Sequence, residues 1–381
     1  MADALGGLRV IDMATLIAGP GAARYLGDFG AEVIKVEAPG GDGTRRLGWR
    51  DPADGETLFW KQVARNKRTV VLDLKTPEGL GAMRALIDRS DVLIENLRVG
   101  KLEAIGLDPA DLLARNPGLV VLRVSGFGQD GPYATRPGFA TLAEAMSGFA
   151  GLSGEPDGPP LLPPVALTDE VTAMVGAFAV MVALRHRDHT GEGQVIDVNL
   201  LESIINVMGP LPAVWAQRGE LQERLGSGIP YSVPRGTFRC ADGVWVAIST
   251  TADSVAQRVL GIVGADGDPR FADFPGRIEH RVELDRIVGD WVGARTSDEV
   301  LRVFTAAEAA IAPVYSVADL LADEHVRARR AFTEVDGVTM LGPVARLSAT
   351  PGRVRHAGRA LGADTEAVLA EILAEEPRAR S

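Results

Sequence analysis

Short apolar runs recur through the first half of the chain, each ending on a polar residue, with helix-spaced stretches between them. Residues 8–13 read as a buried strand, a Gly19-Pro20-Gly21 turn leads into a helix over 22–29, and residues 31–37 form a second strand. That is a β–α–β unit. The same signal returns at 69–74, 92–94 and 120–124, and Thr76 followed by Pro77 marks a helix start after the first of these. Strands alternating with helices predict an α/β fold with a largely parallel sheet. Ligands of such sheets gather at the carboxyl ends of the strands. The polar groups there are Asp73, Lys75, Asn96, Arg98 and Ser125.

The alternation breaks at Pro163-Pro164. From residue 171 to 184 almost every position is apolar or small, with Thr172 the exception. A helix apolar all round is a buried one, and this run falls short of the roughly 20 residues that a bilayer crossing needs. Thr168 and Asp169 stand where the first N–H groups of the helix need acceptors, so either can be its N-cap. Asp169 therefore has two readings, a structural cap or a carboxylate held beside a pocket. The helix dipole favours its ionised form by about 0.3–1 kcal/mol. That is less than about one pKa unit, so an unusual carboxylate needs other neighbours.

Residues 194–200 alternate like a strand, and a helix follows to about residue 215. A glycine-rich change near 226–230 opens a region with its own strand at 243–248, and a last helix starts near 365. The expected division is a large domain over 1–200 and 331–381, a linker helix over 201–225 and a small domain over 226–330. With 46% hydrophobic and 24% charged residues among 381, the chain has a soluble globular balance. A net charge of −11 argues against non-specific nucleic-acid binding. The single cysteine, Cys240, allows no intramolecular disulfide, fits a reducing cytoplasm and reads as packing where a strand enters a turn. No signal peptide or transmembrane segment is expected. The five histidines and one cysteine form no cluster with zinc-ligand spacing, so no metal is expected. Gly19 and Gly21 with Glu37 look like part of a dinucleotide fingerprint, but Arg24 holds the third glycine's place, and a nicotinamide site is not expected.

Several landmarks share one order and spacing: Ala18-Gly19-Pro20, residues 30–37, Asn66-Lys67-Arg68, Leu72-Asp73-Leu74-Lys75, Glu95-Asn96, Ala145-Met146-Ser147-Gly148, the Asp169 segment, Thr190-Gly191-Glu192-Gly193-Gln194 and Pro313-Val314. Over nearly its full length the chain resembles the class III CoA-transferases, the CaiB–BaiF family. The resemblance implies an α/β fold in which a Rossmann-like large domain, formed by both chain ends, carries an inserted smaller α+β domain. It also implies an interlocked homodimer. Asp169 matches the family's catalytic aspartate, which attacks an acyl-CoA thioester and forms a mixed anhydride. Coenzyme A enters as a thioester substrate, with no tightly bound cofactor. The CoA-binding positions implied are Thr15, Ile17, Ala18, Leu72, Asp73, Lys75, Asn96, Leu97, Arg98 and Lys101, with the cations meeting phosphates. Gly226 and Gly228 match a mobile glycine loop over the site, or else a plain interdomain linker. The partners implied are an acyl-CoA, a carboxylic acid and a second copy of the chain, with neither nucleic acid nor membrane.

Departures from the family bear on the substrate. Thr15 and Ile17 replace the histidine and glutamine of the formyl-CoA transferase-like branch, and Ala104 replaces its arginine. Phe139 and Ala140 replace the histidine and the acid of the racemase branch. Racemisation needs two opposed acid/base groups at one carbon, so the missing histidine argues against it. The apolar Ile17, Phe139 and Ala140 predict a pocket for a less polar acyl group. The expected activity is CoA transfer between organic acids, with acyl-CoA α-proton chemistry and a non-catalytic CoA-binding protein as the alternatives.

Overall fold

The computed structural model describes residues 3–374, so residues 1–2 and 375–381 of the expected large domain lie outside the described residues. The chain divides into two compact units. The first runs through Gly148, takes the return segment Pro163–Gly209 and resumes at Glu324. The second gathers Phe149–Leu162 with Pro210–Asp323. Residues 149–162 thus leave the large unit, in which the sequence reading places them. The Gly226 N–H donates to the Gly154 carbonyl (3.1 Å), and the Arg224 guanidinium donates to the carbonyls of Glu155 (3.1 Å) and Gly158 (2.8 Å).

Six strands form the main sheet of the first unit: β1 (Arg9–Asp12), β2 (Glu32–Glu37), β3 (Lys67–Val71), β4 (Val92–Glu95), β5 (Val120–Ser125) and β6 (Val195–Asn199). All pair in parallel, in the order β3-β2-β1-β4-β5-β6. Val10, Ile11, Val92, Leu93, Ile94 and Val121 have no exposed surface, as a parallel sheet covered on both faces requires. The order reverses between β1 and β4, and such a reversal opens a ligand crevice at the strand ends. Four helices matter here: α1 (Ala18–Asp28), α2 (Pro77–Ile87), α3 (Ala140–Met146) and α4 (Leu167–Thr190). Met83, Leu86 and Ile87 of α2 pack on Ile34, Val70 and Leu93 of the sheet. The returning tail is pinned to the same unit. Asp364 accepts from the Thr69 N–H (2.8 Å), and Asn66 donates to the Arg353 carbonyl (2.8 Å).

The α4 helix corrects two expectations. It has 24 residues and is long and apolar enough, by length and composition alone, to cross a membrane, a test that the core helix of a soluble protein also passes. Nor is it buried all round. Thr172, Ala173, Gly176, Val180, Ala183 and Leu184 are buried, while Met174, Phe178, Met181 and Val182 are exposed. The buried face carries small residues, Ala173 and Gly176, where α1 lies close against it. A Cβ added at Gly21 would stand 2.8 Å from the Ala173 Cβ, and one at Gly176 would stand 3.1 Å from a Leu122 methyl.

The second unit has an antiparallel sheet of Gly236–Arg239, Trp245–Ile248 and Ile311–Pro313. Helices Asp253–Val263, Arg281–Gly293 and Ser297–Ala306 close a core of Phe238, Val259, Phe271, Leu284 and Phe304. Cys240 is buried where the first strand enters its turn, with its N–H bonded to the Val244 carbonyl (2.8 Å). The helix expected to reach about residue 215 is two helices, Leu200–Val207 and Leu211–Arg218. Gly209 takes φ +58° ahead of Pro210, a conformation open to glycine and closed to a continuing helix.

Candidate active site

Strand β1 ends at Asp12, and the chain turns through residues 13–17 into α1. Four buried charges lie beneath that turn. The Lys67 ammonium sits 2.8 Å from Asp12, and Lys35 sits 3.0 Å from Asp42 and 3.7 Å from Asp12. Lys67 also donates to the Pro20 carbonyl (2.6 Å), and Lys35 donates to the Ala14 carbonyl. Asp42 accepts from the Leu16 N–H (3.3 Å) and from the Thr44 N–H and hydroxyl (2.8 Å each). Burial pushes the Lys67 ammonium down to about 8, against the pull of Asp12.

Asn96, at the end of β4, grips the turn from the other side. Its side chain accepts from the Thr15 N–H (2.8 Å) and donates to the Thr15 carbonyl (2.8 Å). Between these two attachments Leu16 is held at φ +66°, a left-handed conformation that costs a non-glycine residue about 1–2 kcal/mol. Glu95 is buried against Arg123 of the neighbouring strand (2.8 Å) and accepts from the Leu97 N–H (2.7 Å). The two loops at the sheet reversal are thus fixed by side chains that the strands deliver.

Neither Thr168 nor Asp169 caps α4. The helix starts at Leu167, with Ala166 as N-cap and no side-chain cap. The Thr168 hydroxyl donates instead to Glu144 of α3 (2.8 Å), and both residues are buried. Glu170 is taken by Arg24 (2.8 Å) and the Tyr25 hydroxyl (3.1 Å). Asp169 stands in the first turn, and among the described residues its carboxylate has no hydrogen-bond or ion-pair partner. Burial pushes it up to about 6, and the charges of Glu144 and Glu170 add to the rise. At 1.36 kcal/mol per pKa unit, that is about 3 kcal/mol held against the ionised form.

A cavity of about 650 Å³ in the first unit brings Asp169 together with Thr15, Ile17, Ala18, Asn96, Leu97 and Arg98 of the expected CoA set. The other expected residues are not in its wall. Leu72 packs in the core, Asp73 accepts from the Lys75 N–H (3.0 Å) in the turn before α2, and the Lys75 and Lys101 side chains are exposed. Gly226 and Gly228 belong to the second unit. There the Gly228 N–H closes a turn on the Leu225 carbonyl (2.8 Å), and the Ser227 hydroxyl oxygen accepts from the Thr237 N–H (2.9 Å). Ile17, Phe139 and Ala140 line the cavity as apolar wall, but Arg98 and Arg136 line it too. Glu37 is not free for a ribose, because Arg45 binds both its oxygens at 2.8 Å.

Two functional candidates escape the sequence pattern. Glu144 is the only acid of α3, set among alanines, and that isolation was the available signal. Arg136 sits between a turn and Pro137-Gly138, with no local mark of its own.

The sequence profile of CoA-transferase family III matches residues 5–365. The succinyl-CoA–L-malate CoA-transferase alpha subunit of Chloroflexus aurantiacus is 42% identical over 379 residues, covering 97% of this chain and 89% of that one. The succinate–glutarate CoA-transferase of Agrobacterium fabrum is 36% identical, covering 97% of this chain and 95% of its own. A crystal structure of a CAIB/BAIF family protein from Brucella suis matches with a TM-score of 0.88 at 31% identity, covering 98% of this chain and 100% of that one.

Proposed function

We propose, from the premise that this chain belongs to CoA-transferase family III, that it moves CoA from an acyl-CoA donor to a carboxylic acid through Asp169 as covalent nucleophile. The observation that carries this reading is the unpartnered Asp169 carboxylate, half-buried in one cavity with the turn after β1 and the loop after β4. Acylation discharges the carboxylate. The burial that raises its pKa therefore favours the covalent adducts over the resting ion.

The steps balance without water or a net proton. An Asp169 oxygen attacks the thioester carbonyl carbon, the C–S bond breaks, and CoA leaves as thiolate from a mixed anhydride. The thiolate attacks the aspartyl carbonyl, expelling the donor acid as its carboxylate and leaving an aspartyl-CoA thioester. The acceptor carboxylate attacks that thioester, releases the thiolate and forms a second anhydride. The thiolate then takes the acceptor's acyl group, and the Asp169 carboxylate departs. Each step exchanges one activated acyl bond for another, which keeps the barriers near balance.

The two named relatives work on succinyl-CoA with malate and on succinate with glutarate, all short dicarboxylic acids. Together with the guanidinium groups of Arg98 and Arg136 in the cavity, they support dicarboxylic acids as the substrates here. Thr15, Ile17, Ala18, Asn96, Leu97 and Arg98 then form the thioester end of the CoA site. The exposed cations Lys75 and Lys101 are proposed to meet the nucleotide phosphates, whereas Leu72 is taken up by the core. The two units correspond to a Rossmann-like large domain and a small domain carrying the Gly226–Gly228 turn. The exposed Met174, Phe178 and Met181, continuous with an apolar groove that includes Leu5, Phe29 and Leu347, support an interlocked homodimer. The free Cys240 supports a cytoplasmic setting.

Intact mass spectrometry after incubation with a panel of acyl-CoAs, trapped with hydroxylamine, tests the covalent route. The expected result is a hydroxamate on Asp169 that is absent in Asp169→Ala. No adduct from any donor, with CoA still bound, would move the reading to α-proton chemistry or to binding alone.

A further inference from the structure

We propose that Arg136 holds the distal carboxylate of a dicarboxylic acid whose other carboxylate reacts at Asp169. The inference rests on the transferase reading above and adds to it the group that selects the acid.

Arg136 lies in the segment joining β5 to α3, four residues before Ala140 opens that helix. Helix α3 packs on α4, where Glu144 takes the Thr168 hydroxyl next to Asp169. The segment therefore reaches the cavity from the side that carries the nucleophile. The cations expected for CoA come instead from the loops after β3 and β4.

Arg24, Arg45, Arg65 and Arg123 are each bonded to an acid within the first unit. Arg136 differs. Among the described residues its guanidinium has no hydrogen-bond or ion-pair partner, although it lines the cavity. Its carbon stands 3.8 Å from the centre of the Tyr133 ring, and Phe127 braces that ring edge-on at 5.9 Å. Stacking fixes the plane of the guanidinium and leaves the N–H groups along its edge free. A planar fork of free donors is matched to a carboxylate, which it binds through two parallel hydrogen bonds.

This also accounts for the mixed wall. Ile17, Phe139 and Ala140 are apolar, and a cavity with those residues alone suits an aliphatic acid. A cation facing the end of an aliphatic tail would lose water without gaining a partner. An acid with a few methylenes between two carboxylates satisfies both features. Its chain meets the apolar residues, one carboxylate meets Asp169 chemistry, and the other meets the Arg136 fork. The sequence expectation of a less polar acyl group then describes the middle of the ligand and not its end.

The test uses the full chain with Arg136→Gln and Arg136→Lys. CoA transfer from one monocarboxylic acyl-CoA donor is measured to glutarate and to pentanoate, which differ only in the second carboxylate. In Arg136→Gln, kcat/KM for glutarate is expected to fall about 10- to 100-fold. The value for pentanoate and the KM for the donor thioester should hold, and Arg136→Lys should recover part of the loss. Equal losses with both acids, or an unchanged glutarate preference, would overturn the proposal. Calorimetric titration of the wild type and Arg136→Gln with glutarate separates the two layers. Should the wild type transfer CoA to neither acid, the transferase reading fails, while loss of glutarate binding in the variant still sustains the anchor. Glutarate binding that is absent from the wild type, or unchanged in the variant, sinks the anchor.

Discussion

Asn96 holds both the N–H and the carbonyl of Thr15 at 2.8 Å, so one side chain joins the loops after β1 and β4 across the reversal of the sheet. A residue expected to touch CoA is thereby committed to holding backbone. Asn96→Ala is expected to release Leu16 from its left-handed turn and to lower the unfolding free energy by about 1–2 kcal/mol. Turnover should fall more than the KM for the acyl-CoA rises, whereas loss of a simple CoA contact would act mainly on KM. Steady-state kinetics with urea unfolding separate the two.

The Asp169 carboxylate titrates in the folded chain near 6, against an ordinary value of 3.8. Between those values the folded state binds more protons than the unfolded one, so stability falls as pH rises through that window and stays lower above it. Asp169→Asn is therefore expected to stabilise the protein at about pH 7.5 by up to about 3 kcal/mol and by little at about pH 4. The same variant should form no trapped adduct. In the native enzyme, loading of Asp169 should rise with pH to a plateau, with its midpoint near 6. Glu144→Gln removes a neighbouring negative charge and should move that midpoint to lower pH. A midpoint that ignores Glu144→Gln would show that the two carboxylates do not interact.

Lys67→Met leaves the Asp12 carboxylate buried with only Lys35, at 3.7 Å, beside it. The expected loss is about 3–5 kcal/mol. Adding Asp12→Asn to Lys67→Met should return much of it, because the stranded charge goes with it. Unfolding curves of the single and double variants measure the coupling, and strict additivity would argue against a paired cluster.

Gly21→Ala would gain up to about 1 kcal/mol on helix propensity alone. Here the new methyl arrives 2.8 Å from the Ala173 Cβ, and overpacking costs about 1–3 kcal/mol. A net loss of stability is expected, with recovery when Ala173→Gly is added. A stabilising Gly21→Ala would mean that α1 and α4 have room to part.

Much of the first unit could be read from local pattern. The runs around Val10, Leu93 and Val121 are apolar on both faces, and this marks a covered parallel sheet before any pairing is known. The start of α2 was equally plain, since Thr76 accepts from the Gly79 N–H with Pro77 at the first position. Lys35 and Lys67 were not legible as buried. Each sits in a strand whose alternation suits an outward cation, and only the strand order brings Asp12 within reach of both. The one-sided burial of α4 was hidden for a different reason. Glycine and alanine on the packed face and methionine and phenylalanine on the bare one all count as apolar, and the division between them is set by the distance to α1. The placing of Asp169 came from motif resemblance. Its lack of partners and its neighbour Glu144 needed the packing of α3 on α4.

The two residues proposed as nucleophile and as selector of the acid have unlike mountings. Asp169 rides on a helix packed so tightly on α1 and the sheet that a methyl added at its own Gly176, or at Gly21 of α1, forces displacement. Arg136 belongs to a connecting segment with an exposed side chain, where replacement disturbs little else. Ancestry can therefore rewrite one without touching the other. On the proposed roles, a lineage that inherits this architecture exchanges the acid it consumes through a few substitutions between β5 and α3 and keeps its chemistry intact.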